Sequence, residues 1–310
     1  MTFIDLINMF PTEKDCINHY IKVRYGDKVH CNHCGSPKVY QMNKKPKEFY
    51  CNNCHNTFSP FKGTIFEHSS TDLRKWFYAI HLFLNSKKGI SGLQLQREIG
   101  VTYKTAWRML QQIRTAMGNA EHKEFIDTIV EIDETYIGGK PRKDNNHSDK
   151  DNNGGNVGGS QDCRKRGRGT SKTPVVGIVD RLNKRVFAKI AMPNDEGKKL
   201  TAKQLMDILN KVSKQENGNT VITDEFRGYD PLSRHAFIHL RVDHTKAFSD
   251  YNGTHTNNIE SFWATLKRGV YGIYHHISVK HMQAYVDEFC FRYNNRGLDM
   301  FDMVLRQSIN

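Results

Sequence analysis

The chain has 310 residues and a formal net charge of +13, enough length for two or three domains that can each bury a core. The opening residues MTFIDLINMFPTEKD lack the basic flank and small-residue cleavage site of a secretory signal. The longest apolar stretch, WFYAIHLFL, is broken by His81 and falls far short of the roughly 20 residues that span a bilayer, so no membrane is expected, and the basic excess fits a polyanionic partner, most often nucleic acid, or a soluble basic enzyme.

Residues 1–28 are expected to form an N-terminal helical segment, followed by the first motif. Of the seven cysteines, four form Cys31-x-x-Cys34 and Cys51-x-x-Cys54, with sixteen residues between the pairs. A Cys-x-x-Cys turn lets two thiolates reach one ion, and two such knuckles supply the closed tetrahedral coordination of a structural Zn²⁺. Two disulfides or a redox pair fit less well, since no secretory signal is present and Gly35 sits behind one knuckle. His33 and His55 lie beside the knuckles, yet four cysteines already satisfy the metal. Cys16, Cys163 and Cys290 have no partner spacing. Residues 29–66 carry Tyr40, Phe49, Tyr50, Phe58 and Phe61, enough for a thin β-ribbon that cannot bury a full core without metal. Lys38, Lys44, Lys45, Lys47 and Lys62 make it basic, which suits nucleic-acid contact or a solvated surface.

Residues 67–120 read as helical. Leu73, Trp76, Phe77, Ile80 and Leu84 recur at three- and four-residue spacing after a cap in Ser69-Ser70-Thr71, a core stripe. The stretch KKGISGLQLQREIGVTYKTAWRMLQQIRTAM predicts a helix, a tight turn at Gly100-Val101, a cap at Thr102 and a second helix. Trp107, Leu110 and Ile113 are expected to bury one face. Tyr103, Lys104, Thr105, Arg108 and Gln111 then remain for a major groove, where Arg and Gln can make bidentate contacts with bases; an ordinary helical hairpin has the same pattern.

Residues 121–310 read as one α/β domain with an insertion at about 140–173. That insertion is rich in Asn, Gly, Asp and Ser, and its residues 140–172 hold nine Lys/Arg against four Asp, so alone it is expected to be disordered. Its most basic part carries Arg164, Lys165, Arg166 and Arg168. It reads equally as a tolerated loop or as an arm that holds a phosphate backbone. Beyond it, TPVVGIVD, RVFAKIAM, NTVITDEF and HLRVDH read as strands and KKLTAKQLMDILNKVSKQ as an amphipathic helix. The alternation predicts a mixed sheet with covering helices.

Three acids stand out in that domain. Asp133 in TIVEIDETYIGG and Asp224 in NTVITDEFRGYD close apolar runs, where strands are expected to end at the rim of a sheet, and Glu260 lies in the helix-like HTNNIESFWATLKRG. Lys267 follows Glu260 by about two helical turns and shares its face. Each acid alone is an ordinary cap or surface residue; together they match the needs of phosphodiester cleavage. That chemistry wants an activated oxygen nucleophile, a stabilised leaving oxygen and relief of charge at phosphorus, which two Mg²⁺ ions about 3.5–4 Å apart can supply. Carboxylates anchor such ions sparsely, water and phosphate filling the other positions, and Lys267 can pair with the backbone as a point charge. Glu134 and Glu225 adjoin the two Asp residues and compete for their roles, as Asn257 and Asn258 do beside Glu260.

The order CNHC, CNNC, GISGLQLQREIGVTYKTAWRML, VEIDETYIGGK, TDEFRGY and HTNNIESFWATLKRGVYGIYHHIS closely resembles bacterial insertion-sequence transposases of the ISXO type, relatives of the Merlin elements. These couple a zinc ribbon to a ribonuclease H-like DDE domain. The resemblance covers nearly the whole chain and is most specific from His255 to Ser278. It implies an α/β ribonuclease H-like mixed sheet with flanking helices, Asp133, Asp224 and Glu260 as ligands of two Mg²⁺ or Mn²⁺ ions, and Lys267 as the basic companion, with Asn258 a rival third ligand. It further implies recognition of terminal inverted repeats by the ribbon and helix-turn-helix, cleavage and transfer of DNA strands into target DNA, at least a dimer, and a bacterial cytoplasmic, nucleoid-associated location. The insertion after Gly138-Gly139-Lys140 is longer than the family pattern.

Overall fold

Each helix of the N-terminal part begins at a side chain that accepts from its own first turn. Helices α1 (Phe3–Met9) and α2 (Glu13–Tyr25) open with capping boxes, Thr2 with Asp5 and Thr12 with Asp15. Helix α3 (Leu73–Asn85) is capped by Asp72, which accepts from the Arg74 N–H at 2.7 Å. The cap is not in Ser69-Ser70-Thr71 as expected, because the Ser69 hydroxyl is taken by the Trp76 indole N–H at 2.9 Å. Helix α4 (Gly92–Ile99) ends at Gly100, φ 62°, and α5 (Tyr103–Gly118) starts at Thr102, whose Oγ1 accepts from Thr105; a left-handed stop and an N-cap with only Val101 between them make the turn tight.

The computed structural model describes residues 1–119, 124–138, 172–192, 200–213, 218–224, 227–230, 232, 237–242 and 255–309. By contact it divides into two units, Met1–Glu121 with Asp287–Asn310, and His122–Val286. Among the described residues no helix is long and apolar enough to cross a membrane.

In the first unit Ile17 and Tyr20 of α2, Leu73, Trp76, Phe77 and Ile80 of α3, Leu95 of α4, and Phe301 and Val304 of the C-terminal helix Phe301–Arg306 share one core. Helix α5 enters it through Ala106, Met109, Leu110 and Ile113. Trp107, expected in that stripe, is 38% exposed, because it stands one residue, about 100°, off the row. The ribbon is β1 (Val39–Met42), β2 (Lys45–Cys51) and β3 (Thr57–Phe58), all antiparallel. Its own apolar cluster is little more than Phe49 stacked on Phe58 at 5.7 Å. Tyr40 is exposed and Phe61 stacks instead on Tyr20 of the helical core.

The second unit is built on β4 (Ile129–Ile137), β5 (Thr173–Asp180), β6 (Arg185–Ile190), β7 (Thr220–Thr223) and β8 (Ile238–Arg241). Their order is β6-β5-β4-β7-β8, antiparallel from β6 to β4 and parallel from β4 to β8, the mixed sheet that the alternation of strands and helices predicts. Residues alternate across it. Val130 and Ile132 of β4 pack with Leu205 and Ile208 of α6 (Ala202–Leu209), whereas Glu131 and Asp133 face α7 (Asn257–Gly269), which buries Ile259, Phe262, Trp263 and Leu266. Helix α8 (Val279–Asn294) follows, and the division between units falls within it.

Helix α7 has no side-chain cap of its own. Its first N–H groups are satisfied by Glu131, a fully buried carboxylate from the neighbouring strand. Glu131 Oε2 accepts from the Asn258 and Ile259 N–H groups, each at 3.0 Å, and Oε1 accepts from the Asn258 amide and from Arg181 Nε, each at 2.6 Å. Arg181 also donates to the His255 carbonyl, just before the helix. The negative charge thus meets an Arg, two orphan N–H groups and the positive end of the helix dipole. Glu131→Ala removes the carboxylate that Arg181 Nε donates to and leaves the helix start unsatisfied; a loss of about 3 kcal/mol, or roughly 10 °C in melting temperature, is expected in calorimetry, with Glu131→Gln losing less.

Candidate metal centres and nucleic-acid face

The two Cys-x-x-Cys knuckles fold alike. In each, the first cysteine's N–H and C=O are tied to the residues that follow the second: Cys31 to Ser36 and Gly35, Cys51 to Asn56 and His55, at 2.9–3.0 Å. Both turns need a left-handed residue, Gly35 at φ 70° and His55 at φ 56°. The four Sγ atoms lie within 4.8 Å of one another, with Cys31–Cys54 and Cys34–Cys51 at 3.6 Å. A tetrahedral Zn²⁺ with Zn–S of about 2.3 Å sets sulfurs roughly 3.8 Å apart, so the donor set fits zinc. The Cys34 thiol is pushed down to about 6 by the Ser36 backbone N–H and then by the Asn53 amide, which readies it as a thiolate ligand. His55 is not part of this group; its Nδ1 pairs with the Tyr50 hydroxyl at 3.0 Å.

The second group of ligand atoms is made by strand register. Strands β4 and β7 pair in parallel with Glu131 opposite Ile222, and continuing that register sets Asp133 level with Asp224, just past the end of β7. Asp133 is not at a strand end as expected: β4 runs on to Ile137 along β5, and only its β7 side stops there. One carboxylate oxygen from each of Asp133, Glu134 and Asp224 falls within 4.8 Å of the others, a spacing that a single octahedral ion can bridge. Burial, then the neighbouring charge of Glu134, pushes Asp133 up to about 7, the direction expected of carboxylates crowded where a cation belongs. Glu134 also accepts from the buried Tyr229 hydroxyl at 2.8 Å.

Helix α7 meets Asp133 through Trp263, whose indole N–H donates to Oδ2 at 3.0 Å. The ring lies over Gly177, the β5 residue paired with Asp133, and a Cβ there would stand 2.6 Å from the ring. Glu260 sits one turn earlier on α7, exposed, and accepts from the Thr256 hydroxyl at 2.9 Å. It is not gathered with the three clustered carboxylates. Asn258 is committed to Glu131. Lys267 is half-buried in the last turn of α7, two turns on from Glu260. The residues that sequence reasoning passed over are Glu131, Gly177, Tyr229 and Trp263. Gly177 carried a usable signal, since a glycine inside an apolar strand marks a close approach.

On α5, Tyr103, Lys104 and Arg108 are exposed and Thr105 and Gln111 half-buried. Arg108 donates to the Glu67 carbonyl at 3.2 Å, and the Thr105 hydroxyl pairs with Thr102. The basic residues Arg164, Lys165, Arg166 and Arg168, with the insertion up to residue 171, lie outside the described residues, as does Glu225.

Residues 126–294 match the family described as the ISXO2-like transposase domain, and residues 11–57 the transposase zinc-ribbon domain. A protein of Halobacterium salinarum described as an uncharacterized protein in transposable element ISH50 is 31% identical over 278 residues, covering 85% of this chain and 87% of its own length. Among solved structures, a chain of the simian T-cell lymphotropic virus intasome in complex with PP2A regulatory subunit B56 gamma aligns at 13% identity, over 71% of this chain and 69% of that one, with a TM-score of 0.31. A pre-cleavage Mos1 transpososome aligns at 12% identity, over 75% and 77%, with a TM-score of 0.29.

Two outcomes follow from the two ligand groups. Purified protein is expected to hold one Zn²⁺ per chain by elemental analysis, and Cys51→Ser to lose it and expose the remaining ribbon cysteines to thiol reagents. For Asp133, the free carboxyl titrates near 3.9 in an unfolded chain and about 7 here, so folding takes up a proton between those values. Metal-free stability therefore falls as pH rises from about 4 to 7. Asp133→Asn is expected to melt several degrees above wild type at pH 8 in chelator and level with it at pH 4; equal melting at pH 8 would contradict the buried charge.

Proposed function

Because the chain belongs to the ISXO2-like family of transposases, we propose that it binds the terminal inverted repeats of its own insertion sequence, cleaves a strand there and joins the freed end to target DNA. The observation that carries this reading is the convergence of Asp133, Glu134 and Asp224 at the edge where β7 stops beside β4. Asp133 and Asp224, with Glu260 from α7, would hold two Mg²⁺ or Mn²⁺ ions. Such ions, when bound, supply an activated oxygen nucleophile at neutral pH and offset charge at phosphorus.

The protein's own side chains do the rest. In cleavage, a water oxygen bonds to phosphorus at the element end as the P–O3′ bond breaks, leaving a 3′-hydroxyl. In joining, that hydroxyl attacks a target phosphodiester and the target's own 3′-oxygen leaves with a proton, so the number of phosphodiester bonds is conserved. No side-chain nucleophile is required, unlike the Ser or Tyr recombination chemistry that passes through a covalent protein–DNA bond. Lys267, on the Glu260 side of α7, pairs with a phosphate as a point charge. Glu260 is favoured over Asn258 as the third ligand because the Asn258 amide is already held by Glu131. Tyr103, Lys104, Thr105, Arg108 and Gln111 along α5 meet base edges and phosphates of the repeat, with Arg164, Lys165, Arg166 and Arg168 as further phosphate contacts. Two ends must be joined in one event, so the active form is at least a dimer.

The test is a joining assay with labelled element-end DNA, a target plasmid and Mg²⁺ or Mn²⁺. Wild type is expected to give joined products, and Asp133→Ala to lose them by at least about 100-fold while still binding end DNA. Cleavage without joining would instead mark a nuclease, and binding without either a regulator. Normal joining by Glu260→Gln would remove Glu260 from the proposed ligand set.

A further inference from the structure

We propose that Trp263 is a positioning residue for Asp133, and that Gly177 is the gap in the sheet that admits its ring. This rests on the reading of Asp133 as a metal ligand and extends it to the group that aims it. An indole N–H is a donor only, and when buried it needs an acceptor. Trp263 is 3% exposed and spends its donor on Asp133 Oδ2 at 3.0 Å. That bond restrains the rotation of a carboxylate that contributes one oxygen to the cluster with Glu134 and Asp224.

The sheet is shaped for this contact. Gly177 is the only residue of TPVVGIVD without a side chain, and it is the one paired with Asp133 across β5. A Cβ at Gly177 would meet Trp263 Cζ2 and Cη2 at 2.6 Å and Ile259 Cδ1 at 2.8 Å, closer than carbon atoms approach. The ring therefore lies against bare backbone to reach from α7 over β5 to β4. Packing alone does not demand an indole there, since a Phe or Leu fills an apolar seat without needing an acceptor.

The bond is also not what holds the helix. Helix α7 is fastened at its start by Glu131 and along its length by Ile259, Phe262 and Leu266. Losing one hydrogen bond at Trp263 should leave α7 in place and free Asp133 to rotate. Groups that orient a metal ligand in this way are typically worth about 10–100-fold in metal affinity.

The test is Mn²⁺ titration of the full chain, zinc loaded, followed by the electron paramagnetic resonance signal of free Mn²⁺. Wild type, Asp133→Ala, Trp263→Phe and Gly177→Ala are compared, each with its melting temperature. Trp263→Phe is expected to bind Mn²⁺ about 10–100-fold more weakly with melting within a few degrees of wild type, and Gly177→Ala to weaken binding similarly by displacing the ring. In the joining assay, Trp263→Phe should need correspondingly more Mg²⁺ for half-maximal rate and recover most of the rate at saturation. If Trp263→Phe fails to fold, 3-benzothienylalanine at position 263, which keeps the bicyclic ring and replaces N–H by sulfur, decides the matter through the same titration. Wild-type Mn²⁺ affinity in the folded donor-less variant, while Asp133→Ala binds poorly, overturns the positioning role and leaves the proposed function standing. Wild-type affinity in Asp133→Ala overturns the ligand assignment beneath both.

Discussion

A buried carboxylate, Glu131, fastens helix α7 to the sheet of the second unit. It lies on the central strand of the sheet, is shielded from water, and ends in contacts with Arg181 and the first turn of α7. A buried charge is tolerated only when its lone pairs are met, and a helix start is stable only when its orphan N–H groups are. Each solves the other's problem. Because α7 carries Glu260, Trp263 and Lys267, the same contact decides where all three stand relative to β4.

Two residues further along β4, on the same face, Asp133 meets that helix again through Trp263. The strand and helix are thus joined at two successive outward positions, one for anchorage and one beside the carboxylate cluster. The cluster itself follows from parallel pairing: β7 stops beside β4 in a register that sets Asp224 level with Asp133. Burial and the gathering of like charges there carry a cost, which raises the Asp133 carboxyl. The ribbon shows the complementary economy. With little more than Phe49 on Phe58 for a core, it relies on four convergent thiolates in place of apolar area.

Several of these features were legible in the residues. The Cys-x-x-Cys spacing, the Gly100 stop and Thr102 cap, and the run TPVVGIVD each carry their structure in near neighbours and form where expected, and of the run NTVITDEF the strand takes Thr220–Thr223. Errors arose where a choice among neighbours was decided by a distant partner. Trp107 was expected inside and stands outside, because the helices facing α5 select the Ala106–Met109–Leu110–Ile113 row. The ribbon's expected Phe61 went to Tyr20 of another element. Glu131 drew no notice, since a Glu between Val130 and Ile132 reads as an ordinary strand residue until the helix it caps is in view.

The sequence by itself determined the local units: two metal knuckles, two capped helices with a tight turn, an alternation of strands and helices, and acids in neighbourhoods that match a known family. Their physical basis is short-ranged, in backbone sterics, first-turn hydrogen bonds and apolar periodicity. Tertiary structure alone decided which acids meet. Pairing of β4 with β7 brings Asp133, Glu134 and Asp224 within reach of one ion, and leaves Glu260 on an exposed helix face, bonded to Thr256. Register and helix placement are set by burial across elements far apart in the chain, so no local pattern contains them.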